Sequence, residues 1–186
     1  KAGSRNFLPA TGTVFGTAYG HIPYDFNVSD PSFDQSEREQ TSVGYALEHY
    51  INDTFKFRQN LRYSYNKQDY KYLVFMNLLP DNRTMTRRPQ IERQTMAEFA
   101  VDNQLQADFW TGQLNHTVLT GLDYKRSRID SQFFMGTVQT KYNLDWVSPV
   151  YGLNIKESDL SLNSSDLTKL DQVGVYLQDQ IELDKW

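Results

Sequence analysis

Eight charged side chains fall into one alternating pattern, and they are the first candidates for chemistry. Lys56, Arg58 and Arg62 stand on the parity opposite to Phe55, Phe57, Leu61, Tyr63 and Tyr65. Glu98 and Asp102 stand opposite Phe99, Val101 and Leu105, and Asp123 and Lys125 stand opposite Leu122 and Tyr124. Glu48 has the same relation to Leu47 and His49. Charges gathered on one face can bind substrate, but more often they hydrogen-bond a covering partner or line water, and without that partner they stand unpaired and hydrated. They lack the spacing of a catalytic site. His21, His49 and His116 are too scattered for a metal triad or a shared catalytic base. No Gly-x-Ser-x-Gly, His-Glu-x-x-His or phosphate-binding Gly loop is present. Two carboxylates suffice for glycoside hydrolysis and leave no local motif. Pairs such as Asp179 and Glu182 occur in any acidic chain, so the chain reads as a non-enzyme, with no catalytic residues and no metal ligands.

A period of two sends successive side chains to opposite faces of a strand. The run at 55–66 thus has one aromatic and aliphatic face and one polar face, a wall between oil and water. Composition agrees. Aromatics make up 14% of the 186 residues, with 12 Tyr and 11 Phe, while hydrophobic residues reach only 39%. A soluble core has little use for so many tyrosine hydroxyls, whereas membrane-interface girdles use them readily. The net charge of −4 gives no global field for nucleic acid. Cysteine is absent, which excludes disulfides and thiolate metal sites. No apolar run approaches the ~20 residues of a membrane helix, and no signal peptide opens the chain.

The elements that position these residues are five antiparallel strands at 40–50, 55–72, 93–109, 113–128 and 169–182. Residues 1–34 are punctuated by Pro and Gly and read as a loop. Asn52-Asp53 and Thr111-Gly112 supply short turns, and 73–92 and 129–168 read as long connections. Short and long connections alternate, which sorts them onto opposite rims of an up-and-down sheet, as in outer-membrane barrels. The charged parity must then face inward, since a cation toward lipid costs ~2–4 kcal/mol at mid-bilayer. Five strands cannot close a barrel, so residues 1–186 are expected to form one partial-barrel domain of a larger wall.

Several stretches resemble the hydroxamate-siderophore branch of the TonB-dependent outer-membrane receptors, the ferrichrome and ferrioxamine receptors. The matching text runs Asn6-Phe7-Leu8-Pro9-Ala10-Thr11-Gly12-Thr13-Val14, Pro23-Tyr24-Asp25-Phe26-Asn27, Gly44-Tyr45, Asn52-Asp53-Thr54-Phe55 and Arg58-Gln59-Asn60-Leu61-Arg62-Tyr63. It continues with Leu119-Thr120-Gly121-Leu122-Asp123-Tyr124 and Gly174-Val175-Tyr176-Leu177-Gln178-Asp179-Gln180, in family order. The resemblance implies an all-β, 22-stranded transmembrane barrel in the bacterial outer membrane, with long outer loops, short periplasmic turns and an N-terminal plug. On this reading the chain is a middle section, without the plug or the remaining strands.

The resemblance further implies binding of ferric hydroxamate siderophores for iron uptake. Iron arrives inside its organic ligand, so no cofactor and no protein-coordinated metal are expected. The implied ligand contacts are Phe7, Val74, Phe75, Met76, Phe133, Phe134 and Met135. The eight inward charges, Glu48, Lys56, Arg58, Arg62, Glu98, Asp102, Asp123 and Lys125, would face the lumen and the plug. The implied partners are the siderophore, the TonB complex through the plug, and outer-membrane lipid or lipopolysaccharide, with no nucleic acid. The basic run Arg83, Arg87 and Arg88 reads as a solvated loop, with lipopolysaccharide phosphate or an anionic ligand as its alternative partner. Two other readings remain: a soluble β-sandwich that binds carbohydrate or another ligand, and a passive porin.

Overall fold

The computed structural model describes residues 8–183. The chain is built from antiparallel strands with almost no helix. The strands are β1 (Gln35–Tyr50), β2 (Phe55–Leu78), β3 (Thr84–Thr111), β4 (Leu114–Met135), β5 (Leu144–Asp145) and β6 (Ser161–Leu183). The sheet order is β1-β2-β3-β4-β6, with β5 pairing β3 through Thr84 to Asp145 and Met85 to Leu144. No helix among the described residues is long and apolar enough to cross a membrane.

Chain-neighbouring strands pair because their connections are tight. The Asn52 side chain accepts the Thr54 and Phe55 amides at 2.9 and 2.8 Å, closing the β1–β2 turn. Gly112 takes φ +66° in the two-residue β3–β4 turn, the left-handed region that favours glycine. Asp81 accepts the Arg83 and Thr84 amides at the β2–β3 tip, beside Asn82 at φ 54°.

The strands run further than the alternation predicts. The connection expected at 73–92 is mostly strand, because β2 continues to Leu78 and β3 begins at Thr84. β6 begins at Ser161 rather than near 169, and β4 continues to Met135 rather than 128. Between them lies the long connection at 136–160. Alternation is lost at 73–76 because Leu73-Val74-Phe75-Met76 meets protein on the side where a lone sheet would meet solvent. β2, β3, β4 and β6, with 24, 28, 22 and 23 residues, each exceed the ~9–11 needed to cross a bilayer.

Two compact units divide the chain. One holds residues 1–39, 67–94 and 130–166, and the other holds 40–66, 95–129 and 167–186. The first has a conventional core. Ile22, Phe26, Val28, Met85, Leu144 and Trp146 form one buried cluster, and Phe33, Leu73, Ile91, Tyr142 and Leu160 form another. Its polar pins are also buried. Arg87, 0% exposed, donates to the carbonyls of Tyr142, Val28 and Ser29 at 2.6, 2.8 and 3.0 Å. Asp30, also 0% exposed, accepts the Ser32, Gly152 and Leu153 amides and the Ser32 hydroxyl. These two side chains fasten the segments around 28–34, 142 and 152 to the strands.

The second unit has a sheet with two unlike faces. Val43, Tyr45, Phe55, Tyr63, Leu105, Val173, Val175 and Leu177 are exposed on one, Val175 at 77%. Phe99 meets Tyr124, with centroids 6.3 Å apart, and Phe109 stacks on His116 at 5.1 Å. Among the described residues no second layer of protein covers this greasy face, which does not favour the β-sandwich. Polar contacts also lie on it: the Tyr45 hydroxyl donates to Gln59 at 2.5 Å, the Gln59 amide donates to Asn103 at 2.6 Å, the Tyr124 hydroxyl donates to Asp171 at 2.6 Å, and His116 meets Asp179 at 2.9 Å.

Candidate functional site

The charged side chains of the second unit, expected to be hydrated and unpaired in the absence of a plug, in part pair with one another. Arg58 bridges Glu48 at 3.0 Å and donates to Gln106 at 2.9 Å. Lys125 bridges Glu98 at 2.8 Å. Asp102 accepts the Tyr176 hydroxyl at 2.9 Å and the Gln104 amide at 2.6 Å. Tyr176 lies flat over Gly121, where any added Cβ would collide with the ring. Lys56 sits 5.1 Å over the Tyr50 ring. Arg62, Glu98, Asp102, Asp123 and Lys125 line a concavity of about 720 Å³, roomy because Ser42, Gly44, Ala46 and Ala100 are small. Mixed charge with short pairings suits a wetted or partner-covered wall.

The first unit holds a second concavity, of about 400 Å³, lined by Gln68, Glu92, Arg93, Gln94, Ser131, Gln132, Phe133 and Ser164. Its volume lies in the range of ligand pockets. Gln94 donates to Ser131 at 3.2 Å, and the Tyr72 hydroxyl donates to Glu92 at 2.5 Å. Arg93 turns to Asp69 at 3.2 Å and Glu157 at 2.6 Å, and lies 5.4 Å over Phe134. Lys71 adds a 2.8 Å bridge to Glu157. The hydrogen bonds from Lys71 and then Arg93 hold the Glu157 carboxyl below its ordinary value. One aromatic ring beside amides and hydroxyls fits a neutral or weakly charged organic ligand better than a bare metal. Among the described residues, no group of three or more His, Asp or Glu is placed to hold a metal ion.

Alternation decides where the expected ligand residues go. Phe133 lines this concavity. Phe75 and Phe134 pack against the two buried clusters. Val74, Met76 and Met135 are half-buried, and Phe7 lies outside the described residues. Sequence reasoning missed Gln68, Glu92, Gln94, Ser131 and Ser164. Their signal was present: each extends the polar parity of Lys56, Glu98 or Asp123 along its own strand, or that of Tyr176 along β6. The basic run does not form the solvated loop expected of it. Arg87 is sealed among carbonyls, and Arg83 bridges Asp145 at 2.5 Å and lies 5.6 Å over the Tyr19 ring.

Comparison with known proteins narrows the family. The model for "TonB dependent receptor-like, beta-barrel" matches residues 2–186. The "Ferrichrome outer membrane transporter/phage receptor" of Escherichia coli (strain K12) is 34% identical over 206 residues, covering 100% of this chain and 27% of the relative. The "Ferrioxamine B receptor" of Salmonella typhimurium (strain SL1344) is 31% identical over 186 residues, covering 100% and 26%. The chain thus spans about a quarter of the length of these curated relatives. In fold it is similar to the closed form of the ferric-catecholate import receptor Fiu of E. coli, with a TM-score of 0.69 at 20% identity over 86% of this chain and 23% of that one. The siderophore receptor PiuA of Acinetobacter baumannii gives 0.66 at 18% identity over 83% and 24%. An antiparallel sheet with one greasy and one charged face, matched along almost its whole length, belongs to the TonB-dependent receptor β-barrel family.

Proposed function

We propose that this chain is a wall section of an outer-membrane receptor that binds ferric hydroxamate siderophores and admits them by TonB-dependent transport. The observation that carries the reading is the concavity around Phe133, where one ring meets several amide and hydroxyl groups. A ferric hydroxamate encloses its iron, so such a lining recognises the organic shell and the protein needs no cofactor of its own. The relatives named for ferrichrome and ferrioxamine, each above 30% identical along the whole chain, support the same cargo class. The charged wall at Arg62, Glu98, Asp102, Asp123 and Lys125 would seat a plug, and through it the TonB complex would act. Lipid and lipopolysaccharide would surround the greasy face. The role is transport rather than catalysis.

The test is uptake of iron-55 as ferrichrome and as ferrioxamine B by cells lacking their own hydroxamate receptors and carrying the complete receptor. Energy-dependent, saturable uptake is expected, and it should disappear when TonB is removed. Uptake that is unsaturable and indifferent to TonB would make the protein a porin.

A further inference from the structure

The guanidinium groups of β3 in the first unit are engaged, with one exception. Arg83 bridges Asp145, Arg87 donates to three carbonyls, and Arg93 bridges Asp69 and Glu157. Arg88 forms no ion pair among the described residues, and its Nε is buried without an acceptor. The side chain as a whole is half-buried, which leaves the two Nη groups to make its hydrogen bonds. A guanidinium partly withdrawn from water and left without an acceptor costs free energy, so its retention asks for a partner that arrives from outside.

Position says which partner. Arg88 lies on the strand parity of Glu92 and Gln94, which line the 400 Å³ concavity. At ~3.3 Å per residue it stands about 13 Å beyond Glu92, toward the β2–β3 tip. Val74 and Met76 continue the parity of Gln68 along β2, and Met135 continues that of Phe133 along β4. Arg88 thus shares one face with the concavity and with the apolar side chains that extend it.

We propose that Arg88 is an anion anchor for the cargo. It takes a carboxylate at the end of a flexible arm while the hydroxamate core occupies the concavity around Phe133. The proposal rests on the siderophore reading given above. A planar guanidinium offers a carboxylate paired donors, which a lysine ammonium cannot reproduce.

The N-acetyl and N-succinyl derivatives of ferrioxamine B test this. They share one iron centre and one alkyl arm, both lack the free amine, and they differ in a terminal carboxylate. Binding of each to the complete receptor in detergent would be followed by tryptophan fluorescence. The wild type is expected to bind the succinyl form about fivefold or more tightly than the acetyl form. Arg88→Gln should bring the two within about twofold and leave the acetyl form unchanged, and Arg88→Lys should keep part of the preference. Raising salt should shrink the wild-type preference, since the anchor is partly exposed; this needs no variant and decides the matter if Arg88→Gln fails to assemble. A wild-type ratio at or below one, a preference that survives Arg88→Gln or is indifferent to salt, or an equal loss of both derivatives in Arg88→Gln overturns the anchor while leaving hydroxamate binding in place. Failure of the wild type to bind either derivative and ferrichrome overturns the siderophore reading itself.

Discussion

Asp30 and Asp34 lie four residues apart, and their surroundings push them in opposite directions. Burial works against the Asp30 charge, but donors from Ser32, Leu153 and Gly152 together outweigh it and hold its carboxyl below the ordinary 3.8. Burial dominates at Asp34 and raises its carboxyl, despite the short hydrogen bond from Ser29. The signs follow by linkage. Asp30 contributes stability that is fully present above 3.8 and is lost as pH falls through its lower folded value. Asp34 contributes stability present below 3.8 and lost as pH rises through its higher folded value. Asp30→Asn should therefore lower the melting temperature at pH 7 and flatten the acid limb, whereas Asp34→Asn should leave or raise it. Calorimetry of the detergent-solubilised receptor between pH 3 and 8 distinguishes them. Arg87 is a harsher test. Arg87→Met removes the donors to Tyr142, Val28 and Ser29 and leaves buried carbonyls unpaired, at a cost of about 3 kcal/mol or more. Protease cleavage between residues 20 and 34 should appear at temperatures where the wild type resists.

Among elements, β2 and β3 separate what the sequence shows from what it hides. Residues 55–66 alternate cleanly because one face meets oil and the other water, so strand, pairing and face could all be read. From Leu73 to Met76 the chain is continuously apolar, and from Arg83 to Pro89 it is basic and interrupted by proline. That text reads as loop, yet Leu73, Met85, Arg87 and Ile91 are strand residues covered by segments distant in sequence. Burial on both faces erases a period of two. Ser161–Thr168 misleads for the opposite reason, being strand with mostly exposed polar side chains. Tyr176 keys β6 to β4 and β3 at once, since its ring fills the space over Gly121 and its hydroxyl reaches Asp102. Gly121→Val should expel the ring and cost about 1–3 kcal/mol, seen as a lower temperature for loss of compact electrophoretic migration. Adding Tyr176→Ala should recover part of the loss, because the collision then disappears.

For the whole molecule, a wall with two solvents assigns different consequences to neighbouring residues of one strand. Val175→Arg would place a cation in hydrocarbon at a cost of about 2–4 kcal/mol near mid-bilayer, whereas Gln178→Arg, on the aqueous parity, should be nearly neutral. Folding yield of the complete receptor into lipid vesicles measures both, and equal losses would argue against the assignment of faces. The family was legible as an ordered series of short matches, because wall residues must satisfy both faces and their partner strands together. The candidate concavity was only partly legible. Phe133 was among the contacts the resemblance implied, but Gln68, Glu92 and Ser164 are commonplace residues brought together only by separate strands. The row Tyr45–Gln59–Asn103 on the oily side has a consequence for descent. Each member hides a neighbour's polarity from the acyl chains, so replacing the central amide alone strands two others in oil. Across related sequences these three sites should drift in concert, polar together or greasy together, and a lineage trapped midway should be rare.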